Sequence, residues 1–522
     1  MIYRVKKQKN EMNTYVLYDV NRMPQACYAE DRGDRIEFDS PLDRAVFFTK
    51  LFIPGFGGAL LFADNNKEGY APGGEPLDFY YEAARSRLYA LEQYKKEVVE
   101  HYGLIPAQAE SRLKRASELL APGIVSEEVS LQILCELLWA GEEIVSFESK
   151  SKIARNGLRD DFLVGCSTKG FTESSPDWKK YFRELFNCVC VPTHWGILEP
   201  EQGDKHYDVL DEMIKWSKEQ GMIVRGHALF WFSPNWECNT WIENLSYEEV
   251  KKLVLERIDF LTREYKDYFD LVDFNEPIQA NAKNMTFDEH FAIMKEAYAI
   301  VRRNAPDCKL MLNIFNEWQE LYGLNRSDLN RIQKDYGQIK SIQPRDKEWC
   351  VTIYEYLDRC VAEGIQFDCL GIQWHDHPYD LFSSREIIKN WYDRYHLPIH
   401  LTELEVSSSD KPASLVQMGR PFPATHLYWH DTWNEEIQSE WFQSFLELMY
   451  SLDEVKEFST FSFCDAPKQW GSYTEKYPVA KRFQVGAIAY AGLLDEEEQP
   501  KPSYYGLKYA MQRLGIKKHP LK

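Results

Sequence analysis

LVDFNEP, running from Leu271 to Pro277, is a short apolar strand brought to a stop by a proline. Proline has no N–H to give a sheet ladder, so the strand ends there and leaves Asn275 and Glu276 at its carboxyl end. LPIHLTELEV, starting at Leu397, repeats the pattern and carries Glu403 and Glu405 at the end of a second apolar run. Outward from these two, further runs of the same kind alternate with helical patterns. They are FLVGCS from Phe162, NCVCVP from Asn187, MIVRGHAL from Met222, KLMLNIF from Lys309, FDCLGIQW from Phe367 and FSTFSF from Phe458. Eight strands, each followed by a helix, predict an α/β fold in which a (β/α)8 TIM barrel occupies residues 156–522. A doubly wound open sheet shares the alternation but needs a glycine-rich turn after its first strand, which Gly165 and Gly170 do not supply.

Ahead of the barrel the pattern changes twice. Residues 1–75 hold short β-branched and aromatic runs between Asp, Gly and Asn turns, and predict a small β-rich domain, sandwich-like, with a possible part in binding sugar. Residues 76–155 recur in three- and four-residue steps, as in Tyr80, Ala84, Leu88 and Leu91, and predict a helical segment punctuated by Pro106 and Pro122. The net charge of −20, with no basic stripe, argues against a nucleic-acid partner. No stretch is long and apolar enough to cross a bilayer, so no membrane is expected. Eleven scattered cysteines without a CxxC pair argue against a disulfide framework or a zinc site. The first twenty residues are basic but lack the apolar run of a secretory signal, so a reduced, soluble, cytoplasmic protein is expected. Oligomeric state is not legible.

The ends of the barrel strands gather polar and aromatic residues. The second offers His194 and Trp195; the third, His227, Trp231 and Trp236; the fourth, Asn275 and Glu276. The fifth offers Asn313 and Asn316, the sixth Gln373, Trp374 and His375, the seventh Glu403 and Glu405, and the eighth Asp465 with Trp470 beyond. Two glutamates on facing strands suit acid–base and nucleophilic work on a glycosidic bond. The aromatic fraction of 14% suits stacking on sugar rings, although each Trp has core packing as its alternative. His375, Asp376 and His377 alternate in direction along a strand and cannot converge on one ion, so no metal is expected. No cofactor motif is present.

Six motifs in barrel order, WGILEPEQG from Trp195, RGHALFW from Arg225, DFNEP from Asp273, GIQWH from Gly371, LTELE from Leu401 and PKPSY from Pro500, resemble glycoside hydrolase family 10. This is a family of retaining endo-β-1,4-xylanases, and the resemblance covers about Phe162 to Tyr509. It implies Glu276 as general acid and Glu403 as nucleophile, with a carbohydrate substrate. It further implies that Asn275 meets the sugar 2-hydroxyl, that His375 keeps Glu403 ionised, and that Glu405 holds His375. His227 and Gln373 would line the sugar site, and Trp195, Trp231 and Trp470 would wall it. The chain departs from the family where Cys190, Val191 and His194 replace a Glu, Asn and Lys that bind the next sugar on the non-reducing side, and where Phe232 replaces a histidine. The nucleophile is also followed by Glu405 where Asp is usual. These departures leave an exo-acting β-glycosidase of the same clan, or a non-catalytic sugar-binding barrel, as alternatives.

Overall fold

The computed structural model describes residues 1–7, 15–25, 28–171, 174–231, 240–243, 245–277, 285–314, 351–375, 379–410, 428–465 and 490–516. Trp470, Trp236, Asn316, Asp376, His377 and Phe232 lie outside the described residues, as does most of the long connection after the fifth barrel strand.

Eight parallel strands close into a barrel in chain order: β7 (Leu163–Ser167), β8 (Cys188–Pro192), β9 (Ile223–Phe230), β10 (Leu271–Asn275), β11 (Lys309–Ile314), β12 (Cys369–His375), β13 (Ile399–Glu405) and β14 (Val455–Thr460). Their residues are almost all buried, because helices cover the outside and side chains fill the bore. Each strand feeds a helix: α4 (Pro176–Leu185), α5 (Tyr207–Glu219), α6 (Tyr247–Glu264), α7 (Phe287–Asn304), α8 (Ile353–Ala362), α9 (Leu381–Tyr395), α10 (Glu435–Ser451) and α11 (Pro502–Arg513). Three of these helices start in a reciprocal cap written in the sequence, Ser246 with Glu249, Thr286 with Glu289 and Thr352 with Glu355. Each satisfies two backbone donors that the first helical turn leaves unpaired. The eighth strand begins at Val455, three residues before the apolar run at Phe458. Glu457 sits inside it with no exposure, paired with His400 and Arg225, and a buried charge masked the start of the strand.

The N-terminal region folds as two three-stranded sheets, β1–β4–β3 and β2–β5–β6, followed by α1 (Phe79–Tyr102), α2 (Ala107–Leu120) and α3 (Glu127–Asn156). The strands are β1 (Ile2–Lys6), β2 (Val16–Tyr18), β3 (Tyr28–Asp31), β4 (Arg35–Asp39), β5 (Val46–Ile53) and β6 (Gly57–Ala63). One hydrophobic core runs without a break from Tyr3 through the helices into the barrel. Buried polar contacts reinforce the joint. Arg87 of α1 pairs with Asp380 and donates to Ser383 at the start of α9. Glu142 of α3 accepts from Leu381 N and from Trp429 Nε1. Gly57 lies so close to the chain at Tyr428 that a Cβ would sit 2.4 Å from its carbonyl oxygen, and at φ +120°. Only glycine tolerates both conditions. Among the described residues, no helix is long and apolar enough to cross a membrane.

Candidate active site

At the carboxyl end of the barrel three groups meet: His227 from β9, Glu276 just past β10 and Glu403 from β13. His227 Nε2 lies 3.6 Å from Glu276 Oε2 and 3.6 Å from Glu403 Oε1. One oxygen of each carboxyl and one nitrogen of the imidazole all fall within 4.8 Å of one another, and all three residues are buried.

Strand register explains much of what surrounds Glu403. β12 and β13 set Gln373 beside Glu403 and His375 beside Glu405. Gln373 Nε2 donates to Glu403 Oε1 at 3.1 Å. His375 Nε2 lies 3.0 Å from Glu403 Oε2, and its Nδ1 lies 2.7 Å from Glu405 Oε1. Asn313 of β11 donates to Glu403 Oε1 at 3.2 Å, and Thr402 fixes that amide by donating to its Oδ1 at 2.7 Å. Gly371 makes room for this arrangement, since a Cβ there would stand 3.0 Å from Asn313 Oδ1 and 2.9 Å from Thr402 Cγ2.

Beneath lies a charged floor. Arg225, without exposure, donates to Asp273 Oδ2 at 2.8 Å and to the Thr402 carbonyl at 2.8 Å. Asp273 in turn takes His227 Nδ1 at 2.5 Å, so His227 presents Nε2 to the two glutamates.

The two carboxyls titrate in opposite directions. Burial, and next the charge of Glu403, push Glu276 up to about 8, so it holds a proton at neutral pH. Burial works against ionisation of Glu403 as well. There it is outweighed by the bond from His375, with the charges of His227, His375 and Lys169 adding to it, and Glu403 is held well below the usual carboxylate range. Burial would also lower His375, but the charge of Glu405 and the bond to Glu403 prevail and raise it to about 10. His227 is likewise raised: the bond and charge of Asp273 overcome its burial. The trio's spacing would accommodate a cation, yet metal ligands must be deprotonated. Glu276 is held neutral and His227 protonated, so the donor set does not fit a metal.

Asn275 does not join this cluster. The register of β10 shifts between Asp273 and Asn275 against both neighbouring strands, a bulge that breaks strict alternation. Asp273 and Glu276 thereby both reach the central cluster. The Asn275 amide donates to Tyr356 Oη of α8 at 2.7 Å, and His290 of α7 meets the same hydroxyl at 2.7 Å. Its expected place at a sugar 2-hydroxyl is therefore corrected to a buried bond behind the strand. Trp195 is 4% exposed, donates from Nε1 to Glu199 at 2.9 Å and packs edge-on against Trp241. It offers little ring face to a ligand, and the expected wall is corrected to core packing. Trp231 is half-buried and tilts against His194 with ring centroids 5.9 Å apart.

Several residues at the site had no motif to mark them. Asp273 and Arg225 read as strand interruptions. Their signal was a charge at an inward position of an otherwise apolar run. Lys169, two residues past β7, was hidden in a loop; its Nζ lies 3.6 Å from the centre of the Phe461 ring.

Comparison with known proteins agrees with this arrangement. The family model described as glycosyl hydrolase family 10 matches residues 155–510. The chain belongs to glycosyl hydrolase family 10. Among curated relatives, "Endo-1,4-beta-xylanase 5-like" of Arabidopsis thaliana is 23% identical over 254 residues, 46% of this chain and 40% of that protein. "Endo-1,4-beta-xylanase/feruloyl esterase" of Xylanibacter ruminicola is 21% identical over 345 residues, 63% of this chain and 45% of that protein. The chain thus spans less than half the length of these relatives. Native xylanase 10B of Thermotoga maritima superposes with a TM-score of 0.48 at 17% identity, over 70% of this chain and 97% of that one.

Proposed function

We propose that the chain is a retaining β-glycoside hydrolase, endo-β-1,4-xylanase-like, working by double displacement. The observation that carries this reading is the pair of carboxyls within 4.8 Å, one protonated and one ionised at the same pH. Retaining enzymes place their carboxyls about 5 Å apart, since no water has to fit between nucleophile and sugar in the first step. Glu403 attacks the anomeric carbon as the glycosidic C–O bond breaks, and Glu276 gives its proton to the departing oxygen. Water then attacks the same carbon, Glu276 takes the water's proton, and the bond to Glu403 breaks. The pKa of Glu276 follows the cycle: once Glu403 is esterified its charge is gone, and Glu276 becomes the weaker acid's conjugate no longer but a carboxylate ready to act as base.

His375 holds Glu403 in position and ionised, Glu405 holds His375 protonated, and Gln373 and Asn313 orient the nucleophile's Oε1. His227 lines the site between the two glutamates. Xylan as the substrate class rests on the names of the relatives and on the family. The test is product analysis on linear and decorated xylo-oligosaccharides, with cello- and manno-oligosaccharides as controls. Internal cleavage of xylo-oligomers alone supports the reading. Release of single terminal sugars, or cleavage of another backbone only, retires the endo-xylanase part, and binding without turnover retires the enzyme.

A further inference from the structure

Lys169 belongs to no motif, yet the fold brings it to the catalytic pair. β7 pairs with β8 up to Ser167 beside Cys190, and Thr168 N then donates to the Cys190 carbonyl at 2.9 Å, which ties the following residue to the barrel mouth. The Lys169 ammonium sits half-buried over Phe461, and Phe461 meets His375 edge-on with centroids 4.9 Å apart. Its charge acts on Glu403 first, then on Cys190 and Glu405, and least on Glu276. In a double displacement the leaving group departs past the acid, so a cation nearer the nucleophile than the acid stands on the side of the sugar that is retained. On that side the second strand provides little to bind a hydroxyl. Cys190 and Val191 are buried apolar residues, and burial keeps the His194 imidazole neutral.

Resting on the double-displacement reading above, we propose that Lys169 is a specificity residue that donates a hydrogen bond to a hydroxyl of a neutral sugar on the glycone side of the cleaved bond. A long, flexible stem over an aromatic ring lets the ammonium reach past the first strand, and its charge makes the bond stronger than a neutral donor's.

The experiment compares the aryl β-xyloside with the aryl β-xylobioside carrying the same leaving group, and reads the gain in kcat/KM that the second sugar brings. In Lys169→Met that gain is expected to fall by about tenfold to a hundredfold, the worth of one charge-assisted hydrogen bond, and to be largely kept in Lys169→Arg. A gain unchanged in Lys169→Met, whatever happens to the absolute rates, overturns the proposal and leaves Lys169 a packing residue on Phe461. If Lys169→Met does not fold, the same ratio is read on Lys169→Gln. Hydrolysis of neither substrate by the wild-type protein is a failure of the double-displacement reading, not of this one. Calorimetric titration of wild-type and Lys169→Met with xylotriose then decides: weaker binding by the variant supports the role, and equal binding overturns it.

Discussion

Replacing Glu403 by Gln removes one negative charge from beside Glu276 and keeps nearly the same shape. With carboxyl oxygens within 4.8 Å, the lost repulsion is about 3.5 kcal/mol at an effective dielectric of about 20, or about 2.5 pKa units. Part of that is returned, because His375 and His227 lose a partner and their positive charge is less firmly held. A drop of about two units in Glu276, from about 8 in the wild type, is therefore expected. The assay is a carbon-13 NMR titration of glutamate-labelled protein, with the Glu276 signal assigned by its loss in Glu276→Gln. A Glu276 pKa that moves by less than about half a unit in Glu403→Gln would refute the reasoning. It would mean that burial alone sets the acid, and that the carboxyls do not sense each other across the site.

Three further outcomes follow from the same geometry. Glu276→Gln should lose most activity on unactivated oligosaccharides but retain it on aryl glycosides with good leaving groups, which need little acid assistance; equal loss on both would remove Glu276 from the acid role. His375→Ala should lower kcat by about tenfold to a hundredfold and move the acid limb of the pH profile upward, since Glu403 loses the donor that favours its ionised form; an unmoved limb contradicts the assignment. Glu276 also has a consequence for stability. A group whose folded pKa is raised to about 8 from an ordinary carboxylate value contributes stability below the ordinary value and loses it as pH rises through about 8. Glu276→Gln should therefore gain in melting temperature over the wild type between pH 5 and pH 9; a constant difference across that range contradicts the raised pKa.

The barrel was legible because its strands are buried on both faces and therefore read as unbroken apolar runs, as in β13 and β10. The reading failed where a strand carries charge. β14 was entered late because Glu457 lies inside it, and β1 (IYRVK) and β3 (YAED) went unseen because charged residues interrupt their hydrophobic pattern. The pair Glu276 and Glu403, with Gln373, His375 and Glu405, could be placed from strand ends and parity alone. Asn275 could not, because a bulge in β10 is a property of the ladder and leaves no mark in LVDFN. The Arg225–Asp273–His227 relay was likewise hidden, since its members come from two strands and only the β9–β10 register aligns them.

The most direct measurement is trapping of the glycosyl-enzyme with 2,4-dinitrophenyl 2-deoxy-2-fluoro-β-xylobioside, followed by intact mass and peptide mapping. The account predicts a mass increase of one fluoro-xylobiosyl group, located on Glu403 and absent in Glu403→Gln. No adduct while substrate is still turned over, or an adduct on any other residue, would contradict Glu403 as the nucleophile.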